Sequence, residues 1–201
     1  MDLHNFLRSR RSIRRFEPIP VATNVLIRVI ETATYAPSAH NREPWRFVVV
    51  TREHQKSQLA DMLAIDFHRD LEGDGIDQKE IEKRIRISKT RINNSPVVIM
   101  LCMDESEMDV YNDLNGTRAV AEHIMAIQSV AAAGLLLQLA ACAEGLDSVW
   151  TCSPLFAANT VKLTLNLPDT WQPQAMFFMG YSVEKPKAKS LKNLNEVVKF
   201  L

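Results

Sequence analysis

The chain has 201 residues and a mass of 22.8 kDa, and its 24 lysines and arginines are balanced by 24 aspartates and glutamates in a composition that is 46% hydrophobic. This composition is typical of a soluble globular protein with one domain over residues 1–201, and it excludes intrinsic disorder, collagen and small disulfide scaffolds. Because a neutral chain lacks the net basic face that phosphate-backbone binding uses, we expect no nucleic-acid partner.

The first quarter of the chain predicts two helices and a strand. A short helix begins after Asp2 as N-cap, and Thr23 caps a second helix, which ends at a proline-bracketed loop over residues 36–44. Residues 46–51 (RFVVVT) form an apolar run of strand length, and they predict a strand that is buried on both faces.

Residues 53–94 are charged and helix-prone, with an interruption at 72–75, and they predict two surface helices. We interpret 66–95 as a lid, because exposed connections often control access to a site. After Pro96, residues 97–103 (VVIMLCM) predict a second buried strand.

The most apolar helix is predicted from 117 to 144, with Gly145 as a left-handed C-cap, and it should be the central helix of the core. Two further strands, at 148–152 and 174–181, flank a helix at 154–165. This order of elements indicates an α+β protein, or a mixed sheet packed between helices.

The cellular setting is predicted from what the sequence lacks. No stretch reaches about 18 uninterrupted apolar residues, so no membrane span is expected, and the N-terminal segment lacks the apolar centre of a signal peptide. The three cysteines, Cys102, Cys142 and Cys152, show no CxxC spacing, so neither a disulfide framework nor a zinc site is predicted. We therefore expect a reducing, cytoplasmic setting.

The zero net charge conceals an uneven distribution. Residues 1–17 carry +3, residues 181–201 carry another +3, and the body at 18–180 must therefore sum to −6. The two basic ends could meet at an anion or be solvated tails, and charge alone favours solvated tails.

A basic cluster follows the first helix at 10–16 (RRSIRRF). The forked donors of its arginines match a phosphate, and Ser12 adds a hydroxyl and a backbone N–H, so the cluster could hold a phosphomonoester. A solvated basic stretch is the alternative, and spacing alone favours it.

The loop at 36–47 (APSAHNREPWRF) is held by two prolines and leads into the first strand. Rigid loops of this kind hold planar ligands well, and polar groups are dense here. A simple connecting turn is an equally good interpretation.

The C-terminal arm, 182–201, carries Lys187 and Lys189, whose side chains point the same way if the arm is extended. Alone they are typical of solubilising charges. Together with the arginines at 10–16 they become a candidate anion site.

Several common catalytic arrangements are absent from the sequence. Neither GxGxxG nor GxxxxGK[ST] occurs, and no HExxH, paired-acid or GxSxG context surrounds His123, which we interpret as a core or interface residue. Cys152 lacks a local activating group and is interpreted as a buried small hydrophobe rather than a nucleophile. We predict no metal ligand and no catalytic acid or base.

Five segments occur in a recognisable order along the whole chain. They are RRSIRRF at 10–16, APSAHNREPWRFVVV at 36–50, EGLDSVW at 144–150, FFMGY at 177–181 and KPKAKSLKNLNEVV at 185–198. Together they resemble the nitroreductase family of flavin mononucleotide (FMN) oxidoreductases, and the first two are specific in their order and spacing.

The resemblance implies a nitroreductase-like three-layer α/β/α sandwich, with a mixed, mainly antiparallel sheet around the long apolar helix. It also implies an intertwined homodimer with two FMN molecules at the subunit interface. The apolar helix would then form the dimer core, which explains its all-round apolar surface.

The resemblance further implies which residues bind FMN. The phosphate and the pyrimidine edge would be held by Arg10, Arg11, Ser12 and Arg14, and the phosphate site would be completed by Lys187 and Lys189. A loop from the other subunit would add Pro37, Ser38, Ala39 and Asn41. The backbone of Cys152 and Ser153 would lie by the flavin N5 atom.

Two positions depart from the family's pattern. Glu43 stands where the family often has Gln before Pro-Trp, and Cys152-Ser153 stands where it often has Glu-Gly or a similar pair. Relatives reduce nitroaromatics or quinones, act on iodotyrosine, fragment flavin to make a cobalamin ligand, or take part in deazaflavin coenzyme biosynthesis. The electron acceptor therefore stays open.

The function implied is an oxidoreductase with tightly bound FMN that takes hydride from NAD(P)H. It would pass the hydride, by a ping-pong mechanism, to a small organic acceptor such as a nitroaromatic or a quinone. One alternative is a flavin- or deazaflavin-binding protein of coenzyme metabolism, with a specialised or no reductase activity. Another is an accessory protein whose apolar helix serves dimerisation only.

Overall fold

A computed structural model of the protein describes residues 2–112, 116–184, 186 and 188–201. Its strands form one four-stranded antiparallel sheet in the order β1-β2-β4-β3. The strands are β1 (Trp45–Val50), β2 (Val97–Asp104), β3 (Asp147–Thr151) and β4 (Trp171–Gly180). The one parallel contact with this sheet among the described residues is an isolated bridge between Ser12 and Ser148.

The described residues form six α-helices. They are α1 (Leu3–Ser9), α2 (Thr23–Ala33), α3 (Glu53–Gly73), α4 (Gln78–Asn93), α5 (Thr117–Ala143) and α6 (Ala158–Leu165). All four strands and the two surface helices lie within a few residues of the predicted positions. The segment predicted as one helix at 154–165 is instead a 3-10 turn, Ser153–Phe156, followed by α6.

Side chains alternate across β2 and so divide the core into two layers. Val97 and Ile99 pack with α2 and α5 on one face, whereas Val98 and Met100 pack with α3 and α6 on the other. Every residue of β2 is buried. The predicted three-layer α/β/α sandwich is confirmed.

The prediction that the first strand is buried on both faces is wrong. β1 forms an edge of the sheet, and Val49 in it is 38% exposed. A continuous apolar run indicates a strand, but its sequence does not tell where in the sheet the strand pairs.

Side-chain capping agrees with the prediction at α1 and differs at α2. The Asp2 carboxylate accepts a hydrogen bond from the Asn5 backbone N–H at 2.9 Å, as expected of an N-cap. Thr23 is the first helical residue rather than the cap, since Ala22 takes the N-cap position of α2 without a side-chain bond. Asp77 caps α4 through the N–H groups of Lys79 and Glu80.

The long apolar helix α5 has one buried and one exposed face. Ala126 and Ala133 are buried against the sheet, whereas Val120, Ile124 and Ile127 are exposed at i, i+4, i+7 spacing. By length and composition α5 could cross a membrane, and 50% of its apolar window is buried within the protein. Buried core helices of soluble proteins pass the same test, so the lack of a membrane span stays a prediction.

Candidate functional site

The segment that follows α1 runs along the sheet and brings its arginines to one place. Ile13 is 2% exposed, and its N–H donates to the Ser148 carbonyl at 3.1 Å. The Glu17 N–H donates to the Tyr181 carbonyl at 2.8 Å. Because Ile13 points into the core, its neighbours Ser12 and Arg14 point outward.

This segment lines a cleft of about 960 Å³. Within the described part of the chain, the cleft brings together basic side chains from the N-terminal segment, from α4 and from the C-terminal arm, namely Arg10, Arg11, Arg14, Arg15, Arg86, Arg91 and Lys189. Glu184 is the one carboxylate among the lining residues. The two basic ends of the chain therefore share one strongly positive cleft, and seven cations around a single acid favour an anionic ligand.

Glu184 ties the arm to the N-terminal segment. Its Oε1 accepts from the Arg14 backbone N–H at 2.9 Å, and its Oε2 lies 3.9 Å from Arg15 Nε. The hydrogen bond uses the backbone of Arg14, so the arm is held in place while the Arg14 guanidinium stays at the cleft.

The arginines of the sequence motif do not stand in equivalent positions. Arg11 Nη1 donates to the carbonyls of Arg8 and Arg10 at 2.5 and 2.9 Å, so its guanidinium also closes the C-terminal end of α1. Arg14 Nη1 donates to the Ser12 carbonyl at 3.3 Å. Lys187, the remaining predicted cation, lies outside the described residues.

The wall of the cleft near α4 is supported by a buried lysine. Lys56 is 5% exposed, and its Nζ donates to the carbonyls of Ser95 and Asn93 at 2.7 and 3.3 Å. Burial lowers the pKa of Lys56. Since Ser95 lines the cleft, Lys56 fixes the turn that ends α4 against it.

A second cavity of about 700 Å³ opens at the end of β3. Cys152 and Ser153 line it beside the aromatic rings of Phe67, Phe156 and Phe178. Ile87 and Arg91 line both this cavity and the basic cleft, so the two spaces meet at α4. An apolar, aromatic chamber next to a basic cleft can hold a planar ring that carries a phosphate.

The interpretation of Cys152 as a buried residue is wrong. Its side chain is exposed, and its Sγ accepts a hydrogen bond from Trp150 Nε1 at 3.2 Å. Cys152 leaves the sheet at the end of β3, where the chain turns into the cavity. His123 is likewise not a core residue, because it is exposed and its Nδ1 lies 3.3 Å from Glu105 Oε1.

The proline-bracketed loop lies on the other face of the sheet, against α5. The Ala39 N–H donates to Ser129 Oγ and the Glu43 N–H donates to Ser38 Oγ, both at 3.1 Å. The structure therefore does not bring this loop to either cleft of its own chain, and the predicted loop residues so placed are Pro37, Ser38, Ala39 and Asn41.

The backbone of this loop is held in an uncommon conformation. His40, Asn41 and Glu43 have φ values of 52°, 53° and 49°, in the left-handed region. Such positions persist where the surroundings fix them, and they concentrate at functional sites. The left-handed backbone at these three positions is compatible with the predicted ligand-holding loop, and that role stays a prediction.

Sequence reasoning missed Arg86 and Arg91, which line the cleft from α4. The charged helix was interpreted as a solvated surface. Ile87, an apolar residue in a charged helix, lies one turn before Arg91 on the same face, and this pair was the available signal. The predicted lid, 66–95, contains most of the α3 residues that line the aromatic cavity and all of the α4 residues that line either space, although its movement stays a prediction.

Comparison with known proteins places this architecture among nitroreductase-like folds. A BluB-like flavoprotein from Clostridium difficile 630 superposes with a TM-score of 0.82 at 23% identity, covering 100% of this chain and 99% of that one. An FMN-dependent nitroreductase from Clostridium difficile gives a TM-score of 0.67 at 22% identity, with 94% and 92% covered. The class defined is therefore the nitroreductase-like α/β/α sandwich.

Comparison of the sequence with a family model identifies the family. The model of the Nitroreductase family matches residues 7–181, and the chain belongs to that family of oxidoreductases. It is also 29% identical, over 189 residues covering 93% of this chain and 88% of the relative, to the Bacillus subtilis (strain 168) protein named "Putative NAD(P)H nitroreductase YfhC".

Proposed function

We propose that this protein is an FMN-dependent oxidoreductase that takes hydride from NAD(P)H and passes it, in a ping-pong order, to a small organic acceptor such as a nitroaromatic or a quinone. The observation that carries the proposal is the continuity of the basic cleft with the aromatic cavity at the end of β3. Family membership and the two flavin-dependent proteins of like fold support it.

The donor chemistry of the basic cleft fits the phosphate of FMN. Arg10 and Arg14 offer forked N–H donors, Ser12 offers a hydroxyl, and Lys189 adds a point charge from the arm. A dianionic phosphate would offset part of the repulsion among these cations. In this proposal Lys187 joins them, and Arg11 contributes to the phosphate site together with its contact to the end of α1.

The aromatic cavity fits the ring system. In this proposal the ring packs beside Phe67 and Phe156, with the backbone of Cys152 and Ser153 facing its reactive edge. Bound FMN supplies the hydride chemistry. The chain binds, orients and shields the ring, and none of its side chains has to act as acid or base.

A second copy of the chain would complete the site. The proline-bracketed loop carries Pro37, Ser38, Ala39 and Asn41, and its backbone is left-handed at Asn41. It reaches neither cleft of its own chain. The loop packs against α5 through the bond from Ala39 to Ser129, and the same helix carries an exposed apolar face. We propose a homodimer in which each subunit's loop reaches the partner's FMN, and we propose a cytoplasmic setting.

A flavin- or deazaflavin-binding protein of coenzyme metabolism is the second candidate. The BluB-like protein of similar fold is described as a flavoprotein and not as a reductase. The same two spaces could hold such a ligand without turnover. The colour of the purified protein separates the candidates, because only the reductase is a yellow protein bleached by NAD(P)H under anaerobic conditions.

The experiment that tests the proposal is a spectral titration of the full-length protein. We expect yellow dimers that lose their absorbance on addition of NAD(P)H and regain it with an acceptor. Yellow protein that NAD(P)H does not bleach would favour the binding protein. A colourless protein that also fails to bind added FMN would contradict both candidates.

The phosphate assignment has its own test in Arg10→Ala. Loss of one charge-assisted contact costs about 1.5–3 kcal/mol, which corresponds to FMN affinity weakened roughly 10–100-fold. Arg52→Ala is the matched control, because Arg52 is exposed and lines neither space. FMN affinity should be measured by fluorescence quenching. Equal affinities for Arg10→Ala and Arg52→Ala would contradict the phosphate site.

A further inference from the structure

A cluster of three ionisable side chains on the α5 face of the sheet belongs to neither cleft. It consists of His40 in the proline-bracketed loop, Asp109 after β2 and Glu122 in α5. Each offers one ligand atom, and these atoms all lie within 4.8 Å of one another. The fold brings the three together from separate segments, so no short sequence motif signals the cluster.

The carboxylate of Glu122 is the unusual member. Glu122 is 4% exposed, and its Oε2 is the one buried side-chain oxygen or nitrogen among the described residues that has no hydrogen-bond partner. Its Oε1 lies 3.5 Å from Nε2 of His40. A carboxylate with one oxygen buried and unpaired is costly unless a positive charge compensates it.

The groups around the cluster compensate the charge only in part. Arg42 pairs with Oδ1 of Asp109, and because a carboxylate has two oxygens this pair leaves Asp109 able to bind a second cation. Tyr111 is hydrogen-bonded to Glu122, and burial together with this bond raises the pKa of Tyr111. The phenol therefore donates a hydrogen bond to Glu122 without adding positive charge. Arg118 lies over the Tyr111 ring, 3.7 Å from its centroid.

We propose that His40, Asp109 and Glu122 form a binding site for a divalent transition-metal cation, with Zn²⁺ as the best match. One imidazole nitrogen and two carboxylate oxygens are ligands that Zn²⁺ takes at about 2.0–2.2 Å. Two ligands at such bond lengths in a tetrahedral arrangement stand about 3.4 Å apart. The 3.5 Å between His40 and Glu122 already matches that separation.

The bound cation would connect the proline-bracketed loop to α5. His40 belongs to the loop, Glu122 belongs to the helix, and Asp109 belongs to the segment that leaves β2. Three protein ligands leave one position of a tetrahedral Zn²⁺ for water. None of its ligands lines either cleft of its own chain, so within one chain the cation site is separate from both clefts.

The test is isothermal titration of the full-length protein, freed of metal with EDTA, with ZnCl₂. We expect one saturable site per chain, and a Co²⁺-substituted protein with the intense visible bands of tetrahedral coordination. His40→Asn, Asp109→Asn and Glu122→Gln should each weaken Zn²⁺ affinity by at least about tenfold, as losses at metal sites do. Asn tolerates the left-handed backbone of position 40, so His40→Asn keeps the loop conformation.

His123→Asn is the matched control. His123 also lies beside a glutamate, Glu105, but both side chains are exposed, and no third ligand joins the pair among the residues that the structure describes. Circular dichroism should show that all variants are folded. EDTA should lower the melting temperature of the natural protein and leave that of Glu122→Gln unchanged. The proposal is overturned if Glu122→Gln binds Zn²⁺ as tightly as the natural protein, or if His123→Asn causes the same loss.

Discussion

At the scale of single residues, the environment decides what one residue type can do. Cys102 in β2 is fully buried, and burial raises the pKa of its thiol to about 12. Cys152 is exposed at the mouth of the aromatic cavity. Since the thiolate is the reactive form of cysteine, Cys102 is inert in the folded protein, whereas Cys152 is open to reagents.

We expect iodoacetamide to alkylate Cys152 in the native protein and to modify Cys102 only after unfolding. If the aromatic cavity holds the flavin ring, saturating FMN should slow the reaction of Cys152. Peptide mass spectrometry at timed quenches measures both rates. Alkylation of Cys102 as fast as Cys152 would contradict the assigned burial. Alkylation of Cys152 at one rate with and without bound FMN would place the ring elsewhere.

Single residues also differ in whether their place in the site could be predicted from the sequence. Arg10 and Arg14 were found because a motif carries them, and the cleft contains both. Arg86 and Arg91 were missed, because an arginine on a charged helix looks the same whether it faces water or a cleft. The sequence predicts Cys152 as a buried residue and His123 as a core or interface residue, whereas both are exposed in this chain. Local sequence does not tell on which side a chain leaves its sheet or which face of a helix is covered.

At the scale of elements, the strands were predicted well because short apolar runs between prolines and glycines are strong signals. How deeply each strand is buried depends on its place in the order of strand pairing. No local sequence pattern contains that order. β2 lies in the centre of the sheet and is buried throughout, whereas β1, equally apolar, lies at its edge. The contact between α5 and β3 is another such feature, and it depends on one glycine.

Gly134 in α5 lets the helix approach β3. A Cβ atom at this position would lie 2.6 Å from the Trp150 ring, which stacks edge-on against Phe177 with centroids 4.9 Å apart. Gly134→Ala should therefore destabilise the fold by about 1–3 kcal/mol through overpacking, although alanine is the better helix former. Chemical denaturation measures this change.

Gly73→Ala is the control for that substitution. Gly73 is the last residue of α3, and a Cβ atom there would meet nothing within 4 Å. We expect it to be neutral or to stabilise by up to about 1 kcal/mol. If Gly134→Ala stabilised the protein to the same degree, the close approach of Trp150 would not constrain α5.

In the whole molecule, the neutral total charge conceals two basic ends of the chain that lie close together in the fold. The N-terminal segment bonds to Ser148 and Tyr181, so it lies beside the start of the C-terminal arm. Basic residues from the two +3 ends thus line one cleft, and Arg86 and Arg91 from the otherwise acidic body join them there. The proline-bracketed loop lies on the opposite face of the sheet, so a single chain cannot bring it to its own cleft.

The proposed dimer would unite the predicted site, and α5 provides its test. Val120, Ile124 and Leu135 are 60%, 48% and 49% exposed, and they follow one stripe of the helix. Ile124→Glu places a charge in this stripe and should convert the dimer to a monomer, measured by light scattering after size exclusion. In the monomer, the FMN of each chain would lack the loop with Asn41 that the partner contributes. The monomer should therefore also lose flavin.

Leu163→Glu in α6 is the matched control. Leu163 is 84% exposed but lies on the opposite layer of the sandwich, so its replacement should leave both mass and flavin content unchanged. A monomeric Ile124→Glu that retained full FMN affinity would show that one chain holds the flavin without the partner's loop. A dimeric Ile124→Glu would instead show that subunits meet through another surface, and the exposed apolar residues of the C-terminal arm, such as Phe200 at 92%, would be the next to replace.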